Sequence, residues 1–255
     1  MRKPKKGNFY LGTSGWSYKD WGDGVFYPSD LKQSKWLEYY CKQFKTIEIN
    51  NTFYHLPSKE TFASWGKTAP EDFTFSVKVN RIITHMKKLQ TPEVILKDFL
   101  ENISGLGKKL GPILFQFPSF WSVSVERLKE LFEYLKKQKI IPNIQTAFEF
   151  RDKTWLDNET TELLKENNAS LSLADGTELE VSDPIPTGFI YMKRHGAKSM
   201  SDFCYNDEAL KSDSEKIRKW LAEGRNVYVY FNNDVKGFAV KNAKTLLELV
   251  SDSSK

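Results

Sequence analysis

Three pairs of residues spaced two apart carry the chemistry this sequence offers: Glu48 with Asn50, Glu149 with Arg151, and Lys193 with His195. In an extended strand, residues i and i+2 share a face, so each pair projects both side chains the same way. Each closes a run rich in β-branched and aromatic residues (TIEIN, TAFEFR and YMKRH). Five other such runs carry a polar residue on the alternating face at their C-terminal ends: Ser14, Lys78, Gln116, Asp175 and Asn232. Carboxylates and an imidazole on convergent strand ends suit general acid–base catalysis, which makes Glu149, His195 and Glu48 the candidate catalytic residues. Lys78, Arg151 and Lys193 are candidates to hold a phosphate or carboxylate, with Asp175, Gln116, Asn50 and Asn232 as further ligand contacts. Tyr54 and Trp16, just beyond strand ends, would supply a stacking wall. All three histidines, His55, His85 and His195, follow strands, and His195 has the best register for function.

The elements that must position these residues alternate along the chain. Strand-like runs start at Phe9, Thr46, Phe73, Pro112, Thr146, Ser170, Phe189 and Val227. Amphipathic helical stretches cover Leu31–Phe44, Ser58–Gly66, Pro92–Leu106, Ser124–Gln138, Thr154–Asn167, Asp207–Glu223 and Val235–Val250. Thr91 reads as an N-cap ahead of Pro92 at the first helical position. The sixth interval, Gly176–Gly188, is short and broken by Pro184 and Pro186. The pattern predicts an α/β fold, a single (β/α)8 TIM barrel with its sixth helix reduced or missing; a doubly wound open sheet competes. Residues 1–7 read as a basic arm and 8–255 as the barrel domain. Barrel enzymes place their sites at the C-terminal strand ends, where all these polar residues fall. The competing reading of the cluster is an internal salt-bridge layer.

Composition narrows the function classes. The 255 residues are 40% hydrophobic and 28% charged, a globular balance and not a disordered one. The formal net charge is +5, but Arg2, Lys3, Lys5 and Lys6 supply most of it, leaving a nearly neutral body that argues weakly for nucleic acid. Cys41 and Cys204 form no metal or redox motif. No apolar run is long enough to span a bilayer, and no apolar segment follows the basic start, so the expectation is a cytoplasmic protein with neither membrane association nor signal peptide. Gly105–Gly111 precedes a strand, unlike a dinucleotide fingerprint, and Gly12–Gly15 lacks the spacing of a nucleophile elbow.

An ordered set of motifs spans nearly the whole chain: GTSGW with Tyr18 and Trp21, FYP at Phe26–Pro28, EINNTFY at Glu48–Tyr54 and FSVKV around Lys78. It continues with GPILFQFPSF at Gly111–Phe120, AFEFR with Trp155, YMKRHG at Tyr191–Gly196 and VYVYFNND at Val227–Asp234. This set resembles the domain-of-unknown-function 72 family, also called YecE-like. The resemblance implies a TIM barrel and brings no activity with it. Where the family shows Arg in YxRxHG, this chain has Lys193, a point charge in place of a bidentate fork.

The leading expectation is an enzyme that binds a small polar or anionic ligand (phosphorylated, carboxylated or sugar-like) at the barrel mouth, with no cofactor required. A glycosidase using Glu48 and Glu149 is one version. The alternative is a metal-dependent phosphodiester hydrolase resembling barrel DNA-repair endonucleases, with Glu149, Asp175 and His195 holding a divalent metal and nucleic acid as partner. The third is a non-catalytic ligand-binding barrel. Schiff-base chemistry at Lys78 or Lys193 is disfavoured, because pairing with strand-end carboxylates would raise their pKa.

Overall fold

The β-branched and aromatic runs form eight strands: β1 Phe9–Thr13, β2 Thr46–Ile49, β3 Thr74–Lys78, β4 Leu110–Gln116, β5 Thr146–Glu149, β6 Ser170–Ala174, β7 Phe189–Arg194 and β8 Asn226–Phe231. The structure is a computed structural model that describes residues 5–90, 93–197 and 203–251. The strands pair in the order β1-β8-β7-β6-β5-β4-β3-β2, all parallel. A single parallel bridge between Ser14 and Glu48 joins β1 to β2 and closes the ring. The fold is therefore the closed barrel, not the open sheet.

That seam is narrow and specifically built. A Cβ on Gly12 would stand 2.1 Å from the Thr46 carbonyl oxygen, so only glycine lets the two strands come this close. Tyr40, fully buried, fills the gap in the ladder: its hydroxyl accepts from the Thr13 amide at 2.8 Å and lies 3.2 Å from the Thr46 carbonyl.

Helices α1 Trp36–Gln43, α2 Lys59–Thr68, α3 Glu93–Ile103, α4 Val125–Lys137, α5 Asn158–Glu166, α6 Asp207–Ala222 and α7 Phe238–Ser251 cover the outside. No helix lies between β6 and β7, as the proline-broken interval predicts. Helix α5 starts four residues later than expected because Lys153–Trp155 forms a separate 3-10 turn, and the Asp157 side chain caps the Thr160 amide at 2.6 Å. Helix α7 starts at Phe238, after a turn at Val235–Gly237 in which Lys236 adopts φ +56°. The Thr91 cap and Pro92 lie outside the described residues, as do residues 1–4 of the basic arm. Lys5 and Lys6 are exposed, and the chain joins the body at Gly7, whose amide donates to the Leu221 carbonyl.

Alternation sorts each strand into two environments. Outward residues such as Ile47, Val77, Ile113, Leu171 and Val229 enter the main core beneath the helices. Inward residues Tyr10, Leu114, Ala147, Phe189, Tyr191, Tyr228 and Tyr230 make a separate core within the barrel. Tyr10 stacks on Tyr228 at 4.5 Å, and the Tyr230 hydroxyl bonds Ser76 and Thr46 at 2.7 and 2.8 Å. Aromatic packing thus fills the lower barrel and gives way to charge at the C-terminal ends.

Candidate active site

An ion pair forms the base of the charged layer. Glu48 on β2 and Lys193 on β7 are buried inside the barrel and bonded to each other. Glu48 Oε1 also accepts from Ser14 Oγ at 2.9 Å, and Oε2 accepts from the Tyr191 hydroxyl. Burial alone would raise the Glu48 pKa; the Lys193 ammonium and the bonds from Lys193 and Tyr191 outweigh it and hold the group below its usual range. With both oxygens engaged and no solvent access, Glu48 is not placed as an acid or base, and Lys193 is not placed to hold a ligand. Both expectations are corrected: these two residues are an internal salt bridge. The glycosidase version goes with them, since one of its two carboxylates is committed.

Glu149 differs. Its Oε1 accepts from Gln116 Nε2 at 2.7 Å and from Arg151 Nη2 and Nε at 2.9 and 3.1 Å, with His195 Nε2 at 3.3 Å. Its Oε2 is buried without a protein hydrogen-bond partner among the described residues. Burial opposes its charge, yet the imidazole and the Arg151 and Lys193 cations hold the pKa well below the ordinary carboxylate value, so Glu149 is ionised. Asn50 Nδ2 donates to Asn232 Oδ1 at 3.1 Å, and Asn232 Nδ2 lies 3.3 Å from His195 Nδ1. An amide NH2 only donates, so in this network Nδ1 is the acceptor and Nε2 is the nitrogen whose proton faces Glu149. The 3.3 Å contact of His195 Nε2 with Glu149 Oε1 is not in hydrogen-bond geometry, so His195 Nε2 and Asn50 Oδ1 are also buried with no hydrogen-bond partner among the described residues.

Asn50 and Asn232 reach up into a cavity of about 430 Å³ at the mouth, lined also by Trp16, Tyr18, Phe53, Tyr54 and Lys78. Gly15, at φ +104°, opens this wall: a Cβ there would meet the Tyr18 hydroxyl at 2.8 Å. Lys78, the last residue of β3, is in register with inward-facing Leu114. Its Nζ sits 4.2 Å from the Phe53 ring centre and, among the described residues, makes no hydrogen bond or ion pair. Burial, then the Lys193 charge, pulls its pKa down to about 7, with Glu149 and Glu48 offsetting part of the shift. This reverses the expectation that carboxylate pairing would raise it, because Lys193 and Arg151 have taken those carboxylates. His85 is placed beside Phe53, edge-on at 4.9 Å, by a π-helical turn at Ile82–Met86; burial, with Lys78 next, lowers its pKa to about 4. That turn has no sequence periodicity to announce it.

Asp175 stands apart. Leu171 and Leu173 face the outer core, so Asp175 continues the outward register. Its Oδ1 accepts from the His195 amide at 2.8 Å and its Oδ2 from the Tyr205 hydroxyl at 2.7 Å, with Arg194 Nη1 at 3.5 Å. Burial raises its pKa, with Arg194 and Tyr205 opposing. The proposed metal set of Glu149, Asp175 and His195 is therefore not gathered, and the described residues contain no group of three or more His, Cys, Asp or Glu arranged for a metal ion. Of the strand-end aromatics, Trp21, Tyr27, Trp121 and Trp155 are core, whereas Trp16 and Tyr54 line the cavity, Tyr54 being 73% exposed beneath the Arg81 guanidinium. No helix of the described residues is long and apolar enough to cross a membrane.

Comparison with known proteins agrees with this architecture. A DUF72 family protein of Thermotoga maritima has a crystal structure that superposes with a TM-score of 0.81 at 31% identity, covering 95% of this chain and 99% of that one. UPF0759 protein YunF of Bacillus subtilis is 26% identical over 94% of each chain. UPF0759 protein YecE of Escherichia coli is 29% identical over 43% of this chain and 38% of its own. Residues 10–255 match the family model described as protein of unknown function DUF72, and the chain belongs to that family.

Proposed function

We propose that the barrel mouth is an active site that binds a small anionic ligand and moves a proton on it, with Glu149 and His195 as the acid–base pair. The observation that carries this reading is the set of three buried, unpartnered polar atoms, Glu149 Oε2, His195 Nε2 and Asn50 Oδ1, joined through Asn232 to the floor of an open cavity. Leaving a buried polar atom unbonded costs about 1–3 kcal/mol, more for a charged group, so three in one place favour groups held for a ligand. Charge supports an anion. Glu48 and Lys193 cancel each other, which leaves Arg151 and Lys78 against Glu149. An arriving anion would bond Arg151, whose side chain is 25% exposed toward solvent. His195 Nε2–H would donate to the ligand and Glu149 Oε2 would accept from it.

The alternative of a metal-dependent phosphodiester hydrolase loses its support with Asp175, which faces the outer layer. The test is a panel of small phosphorylated and carboxylated compounds, read by thermal shift and ligand-observed NMR on the wild type and on Arg151→Gln. Protection by a panel member that Arg151→Gln abolishes supports the reading; no binder, or binding unchanged in the variant, overturns it. With a binder identified, turnover lost in Glu149→Gln supports the catalytic part. Binding without turnover in the wild type would make this a ligand-binding barrel instead.

A further inference from the structure

We infer that Lys78 is a covalent attachment point in the mouth, forming a Schiff base with a small aldehyde or ketone that carries a carboxylate or phosphate. The inference rests on the anion-binding reading of the mouth and adds the substrate class. Four features of geometry carry it. Lys78 ends β3 on the inward face and lines the cavity. Its Nζ makes no hydrogen bond or ion pair among the described residues, while Glu48 is taken by Lys193 and Glu149 by Arg151. The Phe53 ring, 4.2 Å away, gives it an apolar wall. Arg151, bonded to Glu149 through Nε and Nη2 yet 25% exposed, is the cation assigned to the anionic group, so the amine is left for the carbonyl. A lysine desolvated beside another cation is the arrangement that activates an amine nucleophile.

The charged and titratable groups around Nζ are Lys193, Glu149, Glu48 and Arg151, with His85 across Phe53. Their sum, with burial, leaves the amine half neutral near pH 7. Against an unperturbed lysine near 10.4, its neutral fraction at that pH is larger by roughly 10³-fold. In the reaction, the neutral Nζ lone pair forms a bond to the carbonyl carbon as the carbonyl π pair moves to oxygen. One proton passes from nitrogen to that oxygen, giving a carbinolamine. A second passes the same way as the C–O bond breaks, water leaves and the C=N bond forms. Amine plus carbonyl give imine plus water, with no change of oxidation level. The ionised Glu149 and the Nε2–H of His195 are the groups to relay these protons.

The test uses the full chain with glyoxylate as probe and cyanoborohydride as the reductant that traps the imine as a carboxymethyl-lysine. Peptide mapping should find Lys78 labelled first at pH 7, at least about tenfold faster than exposed lysines. Inorganic phosphate in excess should slow that labelling and no other. Lys78→Arg, with folding checked by circular dichroism, should lose the fast label without creating another. Labelling of Lys78 no faster than exposed lysines would overturn the inference, as would fast labelling that survives in the variant. Thermal protection by phosphate or carboxylate compounds is read separately. Protection without selective labelling overturns the covalent step and leaves anion binding standing; absence of both overturns the two together. Should Lys78→Arg fail to fold, Lys78→Met is the second variant, with the same loss of label expected.

Discussion

Lys193 on β7 is bonded to Glu48 on β2 across the barrel interior, and neither side chain reaches solvent. The two strands are separated in the ring by β1 and β8, so this pair ties together the two sides of the seam that only one bridge closes. Removing either partner strands a buried charge. Glu48→Gln and Lys193→Met should each destabilise the protein by about 3–5 kcal/mol, and the double variant should recover a large part of that loss. Urea unfolding checks it, and additive losses in the double variant would show that the pair is not coupled.

Acid should expose the same pair. The folded-state pKa of Glu48 lies below its ordinary value, so its contribution is fully present above the unfolded carboxylate value near 4.3 and is lost as pH falls through the folded value. Glu149 has the same sign. Glu48→Gln should therefore flatten the fall of stability below about pH 4 relative to wild type. Denaturant midpoints measured across that range decide it.

Lys78 carries the opposite kind of signature. Its folded pKa, about 7, lies below that of a free lysine, so between about 7 and 10.4 the unfolded chain binds the extra proton and stability rises with pH. Lys78→Met should raise the melting temperature at pH 6 and remove most of that rise. A site residue kept at a cost in stability behaves in this way, whereas a structural lysine would leave the variant less stable. Melting curves at pH 6, 8 and 10 distinguish the two.

How far the sequence reached is visible in Glu149 and Asp175. The two-residue spacing of Glu149 and Arg151 places both at one inward strand end, and they are bonded there. Strand number, helix number and the absent sixth helix were equally legible, because alternation and the proline-broken interval are local signals. Asp175 lies one residue of register away from the inward face: Leu171 and Leu173 mark the outward face, and Asp175 follows them. Glu48 had the right face but not the right depth, since its engagement by Tyr191 and Lys193 arises between strands distant in sequence. The state of Lys78 was hidden for the same reason. Which cation takes which carboxylate is decided across the barrel, and no spacing along the chain records it.

Asp175 provides the last prediction through its hold on His195. Oδ1 accepts the His195 amide and Oδ2 the Tyr205 hydroxyl, which in turn accepts from the Gly196 amide at 2.7 Å, so the backbone carrying the imidazole is fixed at two successive residues. Asp175→Asn keeps an acceptor for the amide and a polar group for Tyr205, and should leave ligand binding nearly intact. Asp175→Ala loses both and should weaken binding about tenfold, with a stability loss of roughly 1–2 kcal/mol. A positioning role also requires that the His195 ring resonances in NMR shift in Asp175→Ala and return in Asp175→Asn. If Asp175 instead held a metal with Glu149 and His195, binding would be sensitive to chelator in the wild type and Asp175→Asn would be as damaging as Asp175→Ala. Titrations of the three proteins with and without chelator separate these outcomes, and the outward register of Asp175 favours the first.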